Sequence, residues 1–150
     1  MIIKSFVLVE REKKYLLIQE AGFKNRGKWF LPGGRVKRNE EPVKAVERET
    51  WEEAGCRVNV SGIFYIKCYS GLFSNKLHIF FTGEAADVKV KTFEDKHSIQ
   101  ARWFSYEEIK QLPLRQKMLK ILERHRRHKE TIPVKNLKLV ESRTVIKKLI

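Results

Sequence analysis

Apolar positions along the first fifth of the chain fall in two short runs, Ile2–Val9 and Tyr15–Gln19. Both are rich in β-forming residues, and the charged stretch Glu10-Arg11-Glu12-Lys13-Lys14 between them predicts a hairpin turn. A polar stretch over 22–28, punctuated by Gly22 and Gly27, reads as a loop, and Trp29-Phe30-Leu31 then runs into the breaker Pro32-Gly33-Gly34. From about Asn39 the pattern turns helical. Asn39 is the expected N-cap, Pro42 is tolerable in a first turn, and Gly55 should end the helix after Ala54. Val43, Val46, Thr50 and Ala54 share one face, suited to packing on a sheet. Strand-like runs follow at 57–69, 77–82 and 101–104. A helical pattern near Tyr106 breaks at Pro113, and a second helix is expected from about Leu114 to His128, its apolar side Met118, Leu119, Ile121 and Leu122. Pro133 ends that element, with a short strand or packed extension expected over 134–150. Strands before, around and after a central helix predict a mixed α/β sandwich.

Composition narrows the class without choosing the chemistry. A chain of 150 residues, 42% hydrophobic and 33% charged, fits one globular domain, read here as 1–130 with an extension over 131–150 packed on it. No apolar run is long enough to span a bilayer, so no membrane role is expected. The interrupted apolar start reads as a strand and not as a signal peptide. Cys56 and Cys68 could form at most one bridge; both are expected as small core residues in a reducing cytoplasm. The net charge of +14 is uneven: residues 110–150 carry a net +10 and residues 1–109 a net +4. That balance favours anionic partners, whether phosphorylated small molecules, nucleic acid or a membrane surface.

Against this basic background stands one acidic cluster. Glu49, Glu52 and Glu53 at i, i+3 and i+4 project from one helical face, roughly a quarter to a third of a turn from the apolar one. Like charges so spaced cost a helix about 0.2–0.5 kcal/mol per pair, a term that a bound dication reverses. Hard oxygen donors suit Mg²⁺ or Mn²⁺. A single charged helix face is more often simply solvated. Here the cluster sits in a basic chain and follows a Pro-Gly-Gly turn that can bring backbone carbonyls close.

Gly34, Glu40, Arg48, Glu49, Glu52, Glu53 and Gly55 match the Nudix signature at each fixed position across 22 residues, and on these residues the chain resembles the Nudix hydrolase family. Thr50 and Cys56 fill two slots that are usually apolar. The resemblance implies an α/β/α sandwich with a loop–helix–loop site, and Mg²⁺-dependent attack of water on a pyrophosphate bond of a nucleoside di- or triphosphate or a related nucleotide. It implies Glu49, Glu52 and Glu53 as metal ligands, helped by a carbonyl of Gly33 or Gly34. Glu40 would support the site, and Arg48 would position a glutamate. Many relatives carry a further acid six positions before the Trp of Trp103-Phe104; here that position is His97, with Glu94 and Asp95 nearby as substitutes, Glu94 foremost. The segment Leu17-Ile18-Gln19-Glu20-Ala21 and the run from Arg26 to Gly34 look most like the branch acting on oxidised guanine nucleoside diphosphates. Phe23, Arg26 and Trp29 are the expected substrate contacts, with Tyr69 and Phe73 as further stacking candidates and Trp103 as core. The alternatives are an RNA 5′-end pyrophosphohydrolase, using the basic segment 124–129, and a nucleotide- or RNA-binding module without turnover. Basic residues at a helix terminus also complement the helix dipole, which is the blander account of that segment. Its two histidines lack a ligand set for zinc.

Overall fold

The structure, a computed structural model, describes residues 1–136. The hairpin forms where charge interrupts the apolar runs: β1 (Ile2–Arg11) pairs antiparallel with β2 (Lys14–Glu20) through Glu10↔Tyr15 and Arg11↔Lys14. Glu12 and Lys13 at the tip both take positive φ, the twist of the two-residue turns that suit right-handed strands. Next come β3 (Trp29–Phe30), β4 (Gly33–Arg35), α1 (Pro42–Ala54), β5 (Val58–Tyr69), β6 (Lys76–Ala85) and β7 (Ser98–Ser105). The described chain ends with α2 (Tyr106–Ile109), α3 (Met118–Arg127) and β8 (Ile132–Pro133).

The strands form one mixed sheet in the order β3-β2-β1-β6-β5-β8, with β4 on β1 and β7 on β2. β1 runs parallel to β6, and the other named pairings are antiparallel. Side chains alternate across a strand, so β1 feeds two cores. Val7 and Val9 pack with Leu16, Ile18, Val46 and Ala54 beneath α1, while Phe6 and Leu8 pack with Leu17, Phe80, Ile121 and Leu122 beneath α3. Fully burying each such side chain stabilises by about 1.5–3 kcal/mol. The α/β sandwich expected from the element pattern is the observed architecture.

Local corrections have physical causes. The N-cap of α1 is Glu41 and not Asn39; Asn39 takes φ 62 in the preceding turn, leaving Pro42 as the first helical residue. The last long helix starts at Met118 and not at Leu114. The Pro113 carbonyl accepts from Trp29 N–H and Arg115 N–H donates to the Trp29 carbonyl, so this backbone is committed to β3. Ser105 starts α2 with a reciprocal capping box to Glu108. Cys56 is buried, but Cys68 is exposed, on a face of β5 it shares with exposed Ile66. Residues 137–150, and with them most of the expected extension, lie outside the described residues; Ile132 and Pro133 pair with Ile63 and Gly62 of β5. No helix among the described residues is long and apolar enough to cross a membrane.

Candidate active site

The site is built where β4 meets α1. Gly33 takes φ 144, and a Cβ there would overlap the Ser5 carbonyl oxygen on the neighbouring strand, so only glycine fits this ladder position. A Cβ on Gly34 would fall 2.7 Å from the Glu49 carboxyl. The two glycines therefore let the chain pass directly under the acidic face of α1. Gly33 N–H donates to Glu53 Oε2 at 2.8 Å, tying turn to helix.

Arg48 organises the remaining carboxylates. Its Nε and one terminal nitrogen take Glu40 as a two-pronged pair at 2.8 and 3.1 Å. Its other terminal nitrogen reaches Glu49 at 2.9 Å and Glu52 at 3.1 Å, and the guanidinium also donates to the Arg35 carbonyl. The planar fork makes such multiple pairing geometrically cheap. Arg48 holds the Glu40 carboxyl down at about 2, helped by the Lys37 N–H, and Glu40 in turn raises the guanidinium pKa.

Glu53 is the exception. It is 8% exposed, and burial pushes its pKa well above the usual carboxylate range. The Gly33 N–H opposes that shift, while Glu49 and Glu20 reinforce it. A buried carboxylate with one N–H and acidic neighbours needs a proton or a cation. Ser5, opposite Gly34 on the ladder, also carries a buried hydroxyl without a partner among the described residues. Among the described residues no three His, Cys, Asp or Glu side chains close into a ready ion cage. Mg²⁺ retains several waters and does not require one, so the hard-oxygen donor set at Glu49, Glu52 and Glu53 fits such an ion.

The C-terminal end of α1 is fixed from a distance. Ser98 Oγ donates to the Glu53 carbonyl at 2.6 Å, and buried Lys91 donates to the Glu52 carbonyl at 3.1 Å and to Asp95 at 2.7 Å. Asp95 also accepts from the His97 and Ser98 N–H groups, which accounts for its carboxylate within the loop. His97 Nδ1 lies 3.7 Å from Glu52 Oε2. Glu94 pairs instead with Arg26 at 2.6 Å on the surface, so two expected functional residues hold each other.

The expected substrate contacts are dispersed. Phe23 is fully exposed. Trp29 is 4% exposed and packs edge-on against Phe104, so its ring belongs to the core and offers no stacking surface. Trp103 is only partly buried, donating to the Val88 carbonyl at 2.9 Å. The basic segment 124–129 does not form one surface: Arg124 covers Tyr65, His125 is buried, and Arg126 covers Tyr106.

Glu20, Arg115 and Lys4 had no local signal. Glu20 pairs with Arg115 at 2.8 Å and lies near enough to Glu53 to raise its pKa. Lys4 follows the same ladder as the glycines, opposite Arg35.

Putative nudix hydrolase 1 of Caenorhabditis elegans is 34% identical over 100 residues, 66% of this chain and 26% of its own. The human 8-oxo-dGDP phosphatase NUDT18 is 31% identical over 100 residues, 65% of this chain and 30% of its own. The chain thus spans about a quarter to two-fifths of the length of the curated relatives it matches first. A NUDIX hydrolase structure from Nitrosomonas europaea superimposes with a TM-score of 0.80 at 21% identity, covering 93% of this chain and 97% of that one, a likeness of fold. The NUDIX domain model matches residues 4–125, which include every residue of the acidic helix and its glycine turn, and the chain belongs to the NUDIX family.

Proposed function

We propose that this protein hydrolyses a pyrophosphate bond in a nucleoside di- or triphosphate or a related nucleotide, with Glu49, Glu52 and Glu53 holding Mg²⁺ or, as a substitute, Mn²⁺. The observation that carries this reading is the undercompensated Glu53 carboxylate, buried beside Glu49 at a turn where glycine alone fits. A bound dication would polarise the phosphate and lower the pKa of an attacking water. The water oxygen forms a bond to one phosphorus as the bridging P–O bond breaks, and the released phosphate group carries the bond's electron pair. Arg48 keeps Glu49 and Glu52 aligned on one side of the helix, and a carbonyl of Gly33 or Gly34 would add to the donor set. Glu52 or Glu53 would take the water's proton, since Glu94 pairs with Arg26 and Asp95 with Lys91.

Oxidised guanine nucleoside diphosphates are the first substrates to try, supported by the likeness to NUDT18. The end of a 5′-phosphorylated RNA is the second reading, favoured by Lys4 and Arg35, which face each other on the ladder that carries the glycine turn. The intact carboxylate set supports turnover over a binding-only module. A Mg²⁺-supported phosphate-release screen over normal and oxidised nucleoside di- and triphosphates, sugar nucleotides and 5′-triphosphorylated RNA tests the reading. A preferred substrate sustains it; silence across the panel with both metals overturns it.

A further inference from the structure

A cavity of about 480 Å³ opens between β1, the turn at 23–25, the β5–β6 connection and residues 115–117. Lys4, Lys24, Lys76, Arg115, Lys117 and His78 line it, with no carboxylate from the described residues. Among the described residues the four lysines pair with no Asp or Glu. Arg115 is the exception, and its partner Glu20 is the residue whose charge reaches Glu53. Lys4 stands opposite Arg35 on the ladder that also carries Gly33 and Gly34, so the cavity opens beside the glycine turn that runs under the Glu49 carboxyl.

We infer that this cavity is a second phosphate subsite, which favours pyrophosphate substrates carrying a further phosphate group. The inference rests on the pyrophosphatase reading above. A neutral base would need acceptors and apolar walls, whereas this lining is dominated by donors, which suit a ligand made of acceptors. The crowding is costly without an anion. Burial lowers the Lys4 pKa, and Arg115 and Lys76 lower it further; burial and the same cations bring His78 down to about 4. His78 Nε2 is buried with no partner among the described residues. A solvated basic surface would spread such charges outward, but here they converge on a concavity.

The extra phosphate has two chemical sources, a second phosphate on a small nucleotide or the next phosphate of an RNA strand. Tyr69 and Lys117 also line an adjacent cavity of about 220 Å³ with Lys67, Lys120 and Arg124. Lys120 and Arg124 stand four apart in α3, so their side chains lie on one face of the helix, as a strand leaving the first cavity would require.

The test compares a nucleoside 5′-diphosphate, its 3′-phosphorylated form and a short 5′-triphosphorylated RNA, in the wild-type chain and in Lys4→Gln/Lys76→Gln. Metal-free calorimetric binding of a nucleoside 3′,5′-bisphosphate, which has no pyrophosphate bond, is measured in parallel. The 3′-phosphate is expected to raise kcat/KM about tenfold, as one charge-assisted contact allows. The double variant should bring that ratio to near one and weaken bisphosphate binding about tenfold. If the advantage is confined to RNA and falls in Lys120→Gln, the source is a strand; if the bisphosphate nucleotide shows it and Lys120→Gln does not matter, the source is a small nucleotide. Equal kcat/KM with and without the 3′-phosphate, together with bisphosphate binding unchanged in the variant, overturns the inference and leaves the pyrophosphatase reading standing. Absence of turnover on all three substrates counts against the pyrophosphatase reading, while bisphosphate binding still reports on the subsite.

Discussion

On α1, Glu49 and Glu52 share the Arg48 guanidinium with Glu40, and Glu53 holds the Gly33 N–H, whereas the lysines around the neighbouring cavity hold no carboxylate among the described residues. The acidic region is hydrogen-bonded from within, by one arginine shared among three carboxylates, and still carries an excess of negative charge. In the basic region Arg115 alone is paired, with Glu20, among the described residues. Unbalanced charge is tolerated at the rim of a site because a ligand can complete it, and pre-set donors then need no rearrangement on binding. On the proposed reading the two regions would have separate tasks, positioning of a cation on one side and reception of phosphate on the other.

Four measurements would break or sharpen that contrast. The largest effect is expected at Glu53, the carboxylate that is buried without a cationic partner among the described residues. Glu53→Gln keeps an acceptor for the Gly33 N–H but removes the charge, so Mg²⁺-supported phosphate release should fall on the order of 10³-fold. Metal-free thermal stability should hold or rise, since a desolvated charge is gone. Full activity in this variant would remove Glu53 from the site.

Removing the arginine should expose the repulsion it balances. Arg48→Met leaves Glu40, Glu49 and Glu52 facing one another in a partly buried setting, and guanidinium denaturation should report a loss of about 2 kcal/mol. Added Mg²⁺ should restore part of it, because the ion supplies the missing positive charge. Unchanged stability would mean that the acidic region balances itself through solvent.

A smaller effect is expected from the Glu40 titration. Its folded pKa of about 2 lies below the ordinary value near 4.5, so its contribution is present above pH 4.5 and lost as pH falls through about 2. Wild type should exceed Glu40→Gln by about 1 kcal/mol at pH 7, discounted for partial solvent exposure. That gap should narrow between pH 4.5 and 2. A constant gap across that window would show that Arg48 does not hold Glu40 ionised.

The least effect is expected at the surface pair. Glu94→Gln breaks the exposed contact with Arg26, and unfolding should shift within about 0.5 kcal/mol. A large drop in turnover in the same variant, with stability intact, would place Glu94 in the reaction and move part of the acidic task to the 92–97 loop.

Much of the acidic region was legible because its information is local. Three glutamates at i, i+3 and i+4 must share a face once the segment is helical, and Val46, Thr50 and Ala54 are buried on the face their spacing predicts. Thr50 fits an apolar slot because its hydroxyl donates to the Val46 carbonyl one turn back. Trp29 was misread because an aromatic beside a glycine loop carries no mark of which way it turns; burial against Phe104 was decided by strands far along the chain. Cys68 was misread for a related reason: strand alternation gives two faces and does not say which one is covered.

By itself, then, the amino-acid sequence determined the elements, the glycine turn and the carboxylate face, since each follows from backbone geometry over a few neighbouring residues. Tertiary structure alone decided that Glu20 meets Arg115 across 95 positions, that Lys4, Lys76 and Lys117 converge on one cavity, and that Glu94 is turned toward Arg26. Charges separated by that much chain carry no mutual spacing rule. Their meeting is set by β1 lying parallel to β6 and by the 113–115 segment bonding to β3, pairings whose favourable terms arise only after the sheet has closed.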